Sequence, residues 1–468
     1  MSGGVEIVEE KSVGLRRELR LVDLVLAQII FIVGSTWVGT AGKLGASHLF
    51  MWLLASMFFF VPLAVVVIFL NKWRPLEGGL YQWAKLGFGE MAGFLVAWNL
   101  WVYAIVIMSA LGLELATFLS YALGAGGAWI AKSHVFIALA TIGITLLLAI
   151  SAAIGLRVSK WIHNVGGALR ILVYAMLVAL PIVRIASGAH VEHYSFEIAV
   201  PTASLLTLNI LGKMGFGAFS GFEYVAIFAG ESANPARAIG RSVLIAAPIV
   251  VAMFILGTSS LTAFVRPEDI DLIAPLPQAL AAGALPTGFT QWLAPVASMA
   301  LAVSLVSYGS AAFTGITRLP MVAGWDGLLP AWFTRLHPTW RTPTNSIVFV
   351  AVVTVVVGLA GTADVGEQEA FQLIASAALI LYALTYLAMF ALPILAASRM
   401  TPRPPVWLRL LAACGFASTL LFIVLAIFPI VTVESVAAFT AKITGVVIAA
   451  NVIGVVLFVS SRRRAAAP

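Results

Sequence analysis

Apolar windows long enough to cross a bilayer recur along the whole chain, and a water-soluble domain has no place for so many of them. Crossing ~30 Å of hydrocarbon takes ~20 helical residues. Windows of that kind fall near 21–42, 48–70, 90–123, 134–155, 161–186 and 201–230, then near 238–264, 287–321, 344–361, 369–397, 405–431 and 436–461. With 61% apolar and only 10% charged residues, the solvent of this chain is lipid. In lipid the backbone must satisfy itself, so such windows read as helices. The expectation is an all-α membrane protein of about 12 transmembrane helices.

The charges orient it. A net charge of +7 would point to nucleic acid only if the basic residues gathered on one solvated face; here they are scattered between spans, and no nucleic-acid partner is expected. With the amino terminus inside, 20 of the 27 Lys and Arg residues fall in cytoplasmic segments, 5 outside and 2, Arg170 and Lys213, within spans. The expected location is therefore the inner (plasma) membrane, multi-pass, with both termini cytoplasmic. The polar segment 1–20 carries Lys11, Arg16, Arg17 and Arg20. The apolar stretch after it runs to Val38 without a small-residue cleavage pattern, so it reads as a membrane helix and not a signal peptide.

The longest loops, roughly 265–286 and 322–343, leave no room for a soluble catalytic domain. The six histidines are dispersed, His190 and His193 share a loop without a third ligand, and no nucleophile stands beside a base. Neither an enzyme, a metal site nor a cofactor is expected. A channel should show pore loops or charge rings, and none is visible. The single cysteine, Cys414, excludes a disulfide framework and reads as a buried inert thiol. Oligomeric state is not legible.

Two spans are interrupted near their centres. Gly34-Ser35-Thr36-Trp37-Val38-Gly39 breaks the first, and Gly212, Gly215, Gly217 and Gly221 break the sixth. Paired interruptions of this kind point to the site of a secondary transporter. Freed amides at a half-helix amino terminus attract a carboxylate, and freed carbonyls attract an ammonium or a cation. An amino acid offers both charges. The alternative is that the small residues only let helices pack closely.

At these residues the chain resembles the amino acid/polyamine/organocation transporter superfamily. Gly34-Ser35-x-x-x-Gly39 is similar to its first-helix signature, with Thr36 and Trp37 departing from it. Pro75-Leu76-Glu77-Gly78-Gly79-Leu80-Tyr81, followed by Gly87, Gly93-Phe94 and Trp98, resembles the loop before its third helix. Phe219-Ser220-Gly221-Phe222-Glu223 with Glu231 and Asn234-Pro235-x-Arg237 is similar to its sixth helix and exit, and Asp326-Gly327-Leu328-Leu329-Pro330 with Thr342-Pro343 to the loop after its eighth. The resemblance covers roughly residues 20–400 and implies a five-plus-five inverted repeat with discontinuous helices 1 and 6, plus two C-terminal helices. The division it implies is a tail at 1–20, repeats at 21–186 and 201–397, two helices at 405–461 and a basic tail at 462–468.

The resemblance also implies a site. The substrate carboxylate would meet amides of Ser35, Thr36 and their neighbours, and its ammonium the carbonyls near Phe219 and Ser220; Gly34, Gly39 and Gly221 belong to the same breaks. Phe222 and Trp37 are candidate gates, Trp37 either narrowing the pocket, stacking on substrate or filling the space the glycines leave. Tyr103, Ile107, Met108 and Leu111 of the third span offer no polar side-chain contact of the usual kind, which favours an uncharged or apolar amino acid over an amine. Tyr308 and Ser304 could add hydroxyl contacts.

A charge at a helix centre costs ~2.5–3.5 kcal/mol, so each intramembrane ionisable residue needs a partner. By the resemblance Arg170 would stand where sodium-coupled relatives bind their cation, and it would also serve as a clamp on carbonyls of the broken first helix. A guanidinium in that position makes sodium coupling unexpected, and as arginine does not release its proton it is not the proton carrier, which leaves exchange, facilitation or symport with a proton carried elsewhere. Glu223 is the candidate for coupling to protons, or a carboxylate bonded to neighbouring helices. Lys213 and Glu114 could pair, line a vestibule or snorkel, and snorkelling is the expectation. His163 reads as a solvated boundary residue. A sensor that binds without transporting would share all these features.

Overall fold

The computed structural model describes residues 19–76, 78–188, 198–227, 234–284, 289–361, 367–429 and 435–466, together with residues 191, 196, 229 and 232. Lys11, Arg16, Arg17, Glu77, His190, His193 and Glu231 lie outside the described residues.

Among the described residues sixteen helices organise the chain. In order they are α1 (Leu21–Ile32), α2 (Ser35–Gly42), α3 (Gly45–Trp73), α4 (Leu80–Phe88), α5 (Glu90–Leu123), α6 (His134–Ile154), α7 (Leu156–Ala186) and α8 (Leu205–Ala218). Then come α9 (Tyr224–Ile227), α10 (Pro235–Thr262), α11 (Pro275–Gly283), α12 (Leu293–Trp325), α13 (Thr344–Gly361), α14 (Glu367–Leu395), α15 (Val406–Ala426) and α16 (Val436–Ala466). Among the described residues nine helices are long and apolar enough to cross a membrane, ten if the bent pair α1 and α2 is one span. The stretches Leu205–Ala218 and Thr344–Leu359 are apolar but shorter, and they stand where the sixth and ninth spans were expected. The fold is all-helical; the one extended contact among the described residues is an isolated bridge between Leu19 and Ser232.

Two helices were hidden in what reads as loop. Helix α4 has nine residues, too few to cross. Helix α11 begins at Pro275, where a fixed φ and a missing N–H cost nothing. Its approach is fixed by Asp271, whose Oδ1 accepts from the amides of Ile273 at 2.8 Å and Ala274 at 3.3 Å. Helix α11 then lies on α2, so that a Cβ on Gly39 would come within 3.1 Å of the Pro275 ring.

Prolines inside spans need their freed carbonyls satisfied. Pro62 follows a π turn at Ser56–Phe60 in α3 and cannot donate to Phe58 four residues back. The Phe58 carbonyl accepts instead from the Ser418 hydroxyl at 3.0 Å and the Cys414 thiol at 3.3 Å, both on α15. Cys414 is accordingly half-exposed, not buried, and it has a structural partner.

The glycine pair of the Pro-x-x-Gly-Gly motif docks a loop under the site. Gly78 and Gly79 have φ of +88° and +42°, and a Cβ on Gly79 would lie 3.1 Å from the Ala226 backbone. From there α4 presents Tyr81 and Lys85, one turn apart, to Asp326: Lys85 pairs with it at 2.6 Å and the Tyr81 hydroxyl donates to it. Burial, with the Asp326 carboxylate adding to it, raises the Tyr81 hydroxyl well above its ordinary range, so it stays a donor. The last motif of the sequence thereby contacts the second.

Candidate functional site at the two helix breaks

Helices α1 and α2 meet at a 45° bend. Val33 and Gly34 leave helical geometry, the Gly34 amide turns to the Ile32 carbonyl at 2.9 Å, and the Ile30 and Val33 carbonyls lose their helical donors. Arg170, from the middle of α7, supplies replacements: its Nη1 donates to Val33 O at 2.7 Å and Ile30 O at 3.2 Å, and its Nε donates to the Ser304 hydroxyl of α12 at 2.9 Å. The Tyr174 hydroxyl, one turn on, donates to the Gly34 carbonyl at 3.3 Å. The carbonyl end of α1 is thus tied to α7, while the first amides of α2, those of Ser35, Thr36 and Trp37, have no intrahelical acceptor.

The second break has a different construction. Helix α8 widens into a π turn at Lys213–Ala218, a form common at functional sites. The chain then leaves helix at Phe219 to Glu223, with Gly221 at a φ of +129°, a value that favours glycine. The Gly221 amide donates to the Tyr386 hydroxyl of α14 at 2.8 Å. That hydroxyl donates in turn to one carboxylate oxygen of Glu223, and the Tyr382 hydroxyl donates to the other. Glu223 is fully buried, and both its oxygens are occupied from one face of α14.

The breaks face each other. A Cβ on Gly217 would lie 2.5 Å from the Trp37 ring, so that ring fills the space the glycine leaves. The wall between them is aromatic. Phe31 stacks on Tyr224 at 4.9 Å and meets Tyr308 edge-on at 6.4 Å, and Tyr103 stacks on Tyr382 at 4.1 Å. Tyr103, Tyr308 and Glu114 are half-buried.

The amino acid permease family model matches residues 19–458. The chain belongs to that family. Its relatives include an uncharacterised transporter of Legionella pneumophila, 24% identical over 73% of this chain and 74% of the relative. The branched-chain amino acid permease BcaP of Bacillus subtilis is 23% identical, covering 80% of this chain and 82% of its own length. The probable agmatine/putrescine antiporter AguD of Lactococcus lactis is 22% identical over 80% and 78%. The family consists of transporters and not enzymes, and this member is an all-helical, multi-pass membrane protein.

Not every expected site residue of this permease-family chain lines the gap. Gly34, Thr36 and Trp37 keep accessible surface and Ser35 is 7% exposed. Gly39 faces Pro275, away from α8. Met108 and Leu111 are buried in the core, whereas Tyr103 and Ile107 keep accessible surface. Phe219 and Phe222 are fully buried and both stack on Phe60, at 4.3 Å and 5.0 Å, so they belong to the seam between α8 and α3. Ser220 is 6% exposed.

One ionisable residue, His163, is placed differently from the expectation, and two more can be located. His163 is buried, its Nε2 3.0 Å from the Ser310 hydroxyl, which is itself 2.6 Å from Ser151; it is not a solvated boundary residue. Glu114 has Arg170 within electrostatic range and forms no salt bridge with Lys213 among the described residues. Lys213 is 8% exposed.

Sequence reasoning missed Tyr174, Tyr224, Tyr382 and Tyr386. A signal was available for the last two: hydroxyls four residues apart share one helix face, and within lipid each needs a partner.

Proposed function

We propose that this protein is a secondary active transporter moving amino acids across the inner membrane by alternating access, with both termini cytoplasmic and with 21–186 and 201–397 as its inverted repeats. The observation that carries the reading is the pair of opposed helix breaks, one held by Arg170 and the other by Tyr386 and Glu223. The free amides of Ser35 and Thr36 receive the substrate carboxylate, and carbonyls near Phe219 and Ser220 receive its ammonium. Trp37 and Tyr308 border the substrate, and Phe222 moves with the half-helix it follows.

Arg170 stands as a permanent internal cation, so sodium is not the coupling ion; Glu223 takes up and releases the proton in symport, or the protein exchanges one amino acid for another. Rearranging α1, α2, α3, α8, α9 and α10 against the remaining helices would break and remake the contacts of Arg170 and Glu223. Neutral or apolar amino acids are the proposed substrates. Supporting this, Tyr103 and Ile107, two of the half-buried side chains in the middle of α5, carry no charge. An amine or polyamine is the second reading, favoured by Glu114, an accessible carboxylate on the same helix.

The test is uptake of radiolabelled amino acids into proteoliposomes, with and without an inward proton gradient, sodium or preloaded amino acid, alongside Glu223→Gln. Accumulation driven by protons and lost in Glu223→Gln means symport, and flux only after preloading means exchange. Binding without flux would replace the transporter by a sensor.

A further inference from the structure

Lys213 is a buried charge that nothing so far accounts for. It opens the π turn of α8 and is 8% exposed. Among the described residues it makes no hydrogen bond and no ion pair. Glu114, the partner that the sequence reading considered, forms no salt bridge with it among the described residues and has Arg170 within electrostatic range. A buried ammonium without a counter-charge is costly enough that its retention within a span implies a partner that comes and goes.

Its position says where that partner would pass. Residues four apart share a helix face, so Lys213 lies on the face of Gly217, whose neighbour is the Trp37 ring. Its other neighbours are accounted for: Gly212 abuts Phe422 of α15, and the Asn209 side chain donates to the Phe428 carbonyl at 3.2 Å. Lys213 therefore sits one turn from the Trp37 contact, on the side away from Glu223. Something approaching the helix breaks along α8 from that side meets the ammonium before it meets Trp37.

We propose that Lys213 is a docking point for a substrate carboxylate, engaged before Trp37 yields. This rests on the amino acid reading above and adds a second anion-binding position to it. The carboxylate is either the one every amino acid carries or one on the side chain, and the two are separable by experiment.

The experiment measures binding of radiolabelled leucine, glutamate and putrescine to the purified full chain in detergent, for the unaltered protein, Lys213→Met and Lys213→Arg. Lys213→Met keeps the volume and removes a charge without a partner, so folding should survive; thermal unfolding checks this. Loss of one charge-assisted hydrogen bond weakens affinity by about ten- to a hundred-fold. That loss for leucine and glutamate, with putrescine unchanged and Lys213→Arg restoring most of it, supports docking of the common carboxylate. Loss for glutamate alone supports a side-chain carboxylate. Equal loss for all three, or no loss for any, overturns the proposal while leaving the transport reading in place. If the unaltered protein binds putrescine and neither amino acid, the amino acid reading fails and this one fails with it.

Discussion

The Nη1 of Arg170 lies 2.7 Å from the carbonyl oxygen of Val33 and 3.2 Å from that of Ile30, so one side chain closes the end of a helix half that lipid could not close. Each buried carbonyl left without a donor costs about 1–3 kcal/mol. Arg170→Met orphans two of them and the Ser304 hydroxyl together, and should lower the thermal unfolding midpoint in detergent by several degrees. Arg170→Lys, with a single nitrogen in place of the fork, should fall between. A midpoint unchanged in Arg170→Met would mean that the break is held by something else.

The same guanidinium bears on coupling. With a fixed cation bonded at the break, replacing external sodium by potassium should leave initial uptake rates in proteoliposomes unchanged. A rate that rises severalfold with sodium would require a cation site elsewhere in the protein.

Tyr386 and Tyr382 both donate to Glu223, but they are not equivalent. The Tyr386 hydroxyl also accepts the Gly221 amide, so Tyr386→Phe leaves both a buried N–H and a carboxylate oxygen short of a partner. Tyr382→Phe leaves only the oxygen. At about 1–3 kcal/mol per orphaned group, Tyr386→Phe should be the more destabilising by thermal unfolding. If Glu223 carries the coupling proton as proposed, both should lose their effect on the pH dependence of uptake in a Glu223→Gln background.

The spans were legible because apolar length is a cumulative signal, and the breaks were legible because glycine within such length has few other uses. What the sequence concealed was partnership. Arg170 was read as a clamp on carbonyls of the broken first helix, and it donates to those of Ile30 and Val33; which carbonyls it would reach carried no sequence mark. Met108 illustrates the opposite failure: helical spacing placed it beside Tyr103 and Ile107, and a few tens of degrees of rotation put it in the core. His163 was read as solvated because its serines, Ser310 and Ser151, are more than a hundred and about ten positions away respectively and are unremarkable in their own spans. Helices α4 and α11 were missed for a physical reason as well: each is too short to announce itself by hydropathy.

Gly217 and Trp37 offer the sharpest test that the two breaks act as one unit. A methyl group at Gly217 would come within 2.5 Å of the Trp37 ring, closer than any carbon contact permits, so Gly217→Ala must displace the ring or part α2 from α8. Overpacking of this kind costs about 1–3 kcal/mol, and uptake should fall with it. Trp37→Leu removes the obstructing atoms, so the double variant should recover stability relative to Gly217→Ala alone. A coupling of about 0.5–3 kcal/mol between the two positions is the expected size for residues in contact, measured as the non-additivity of unfolding free energies or midpoints across the four proteins. Strict additivity would mean that the breaks are not packed against each other in the membrane. If stability recovers in the double variant while uptake does not, the indole contributes to transport beyond filling the space beside Gly217.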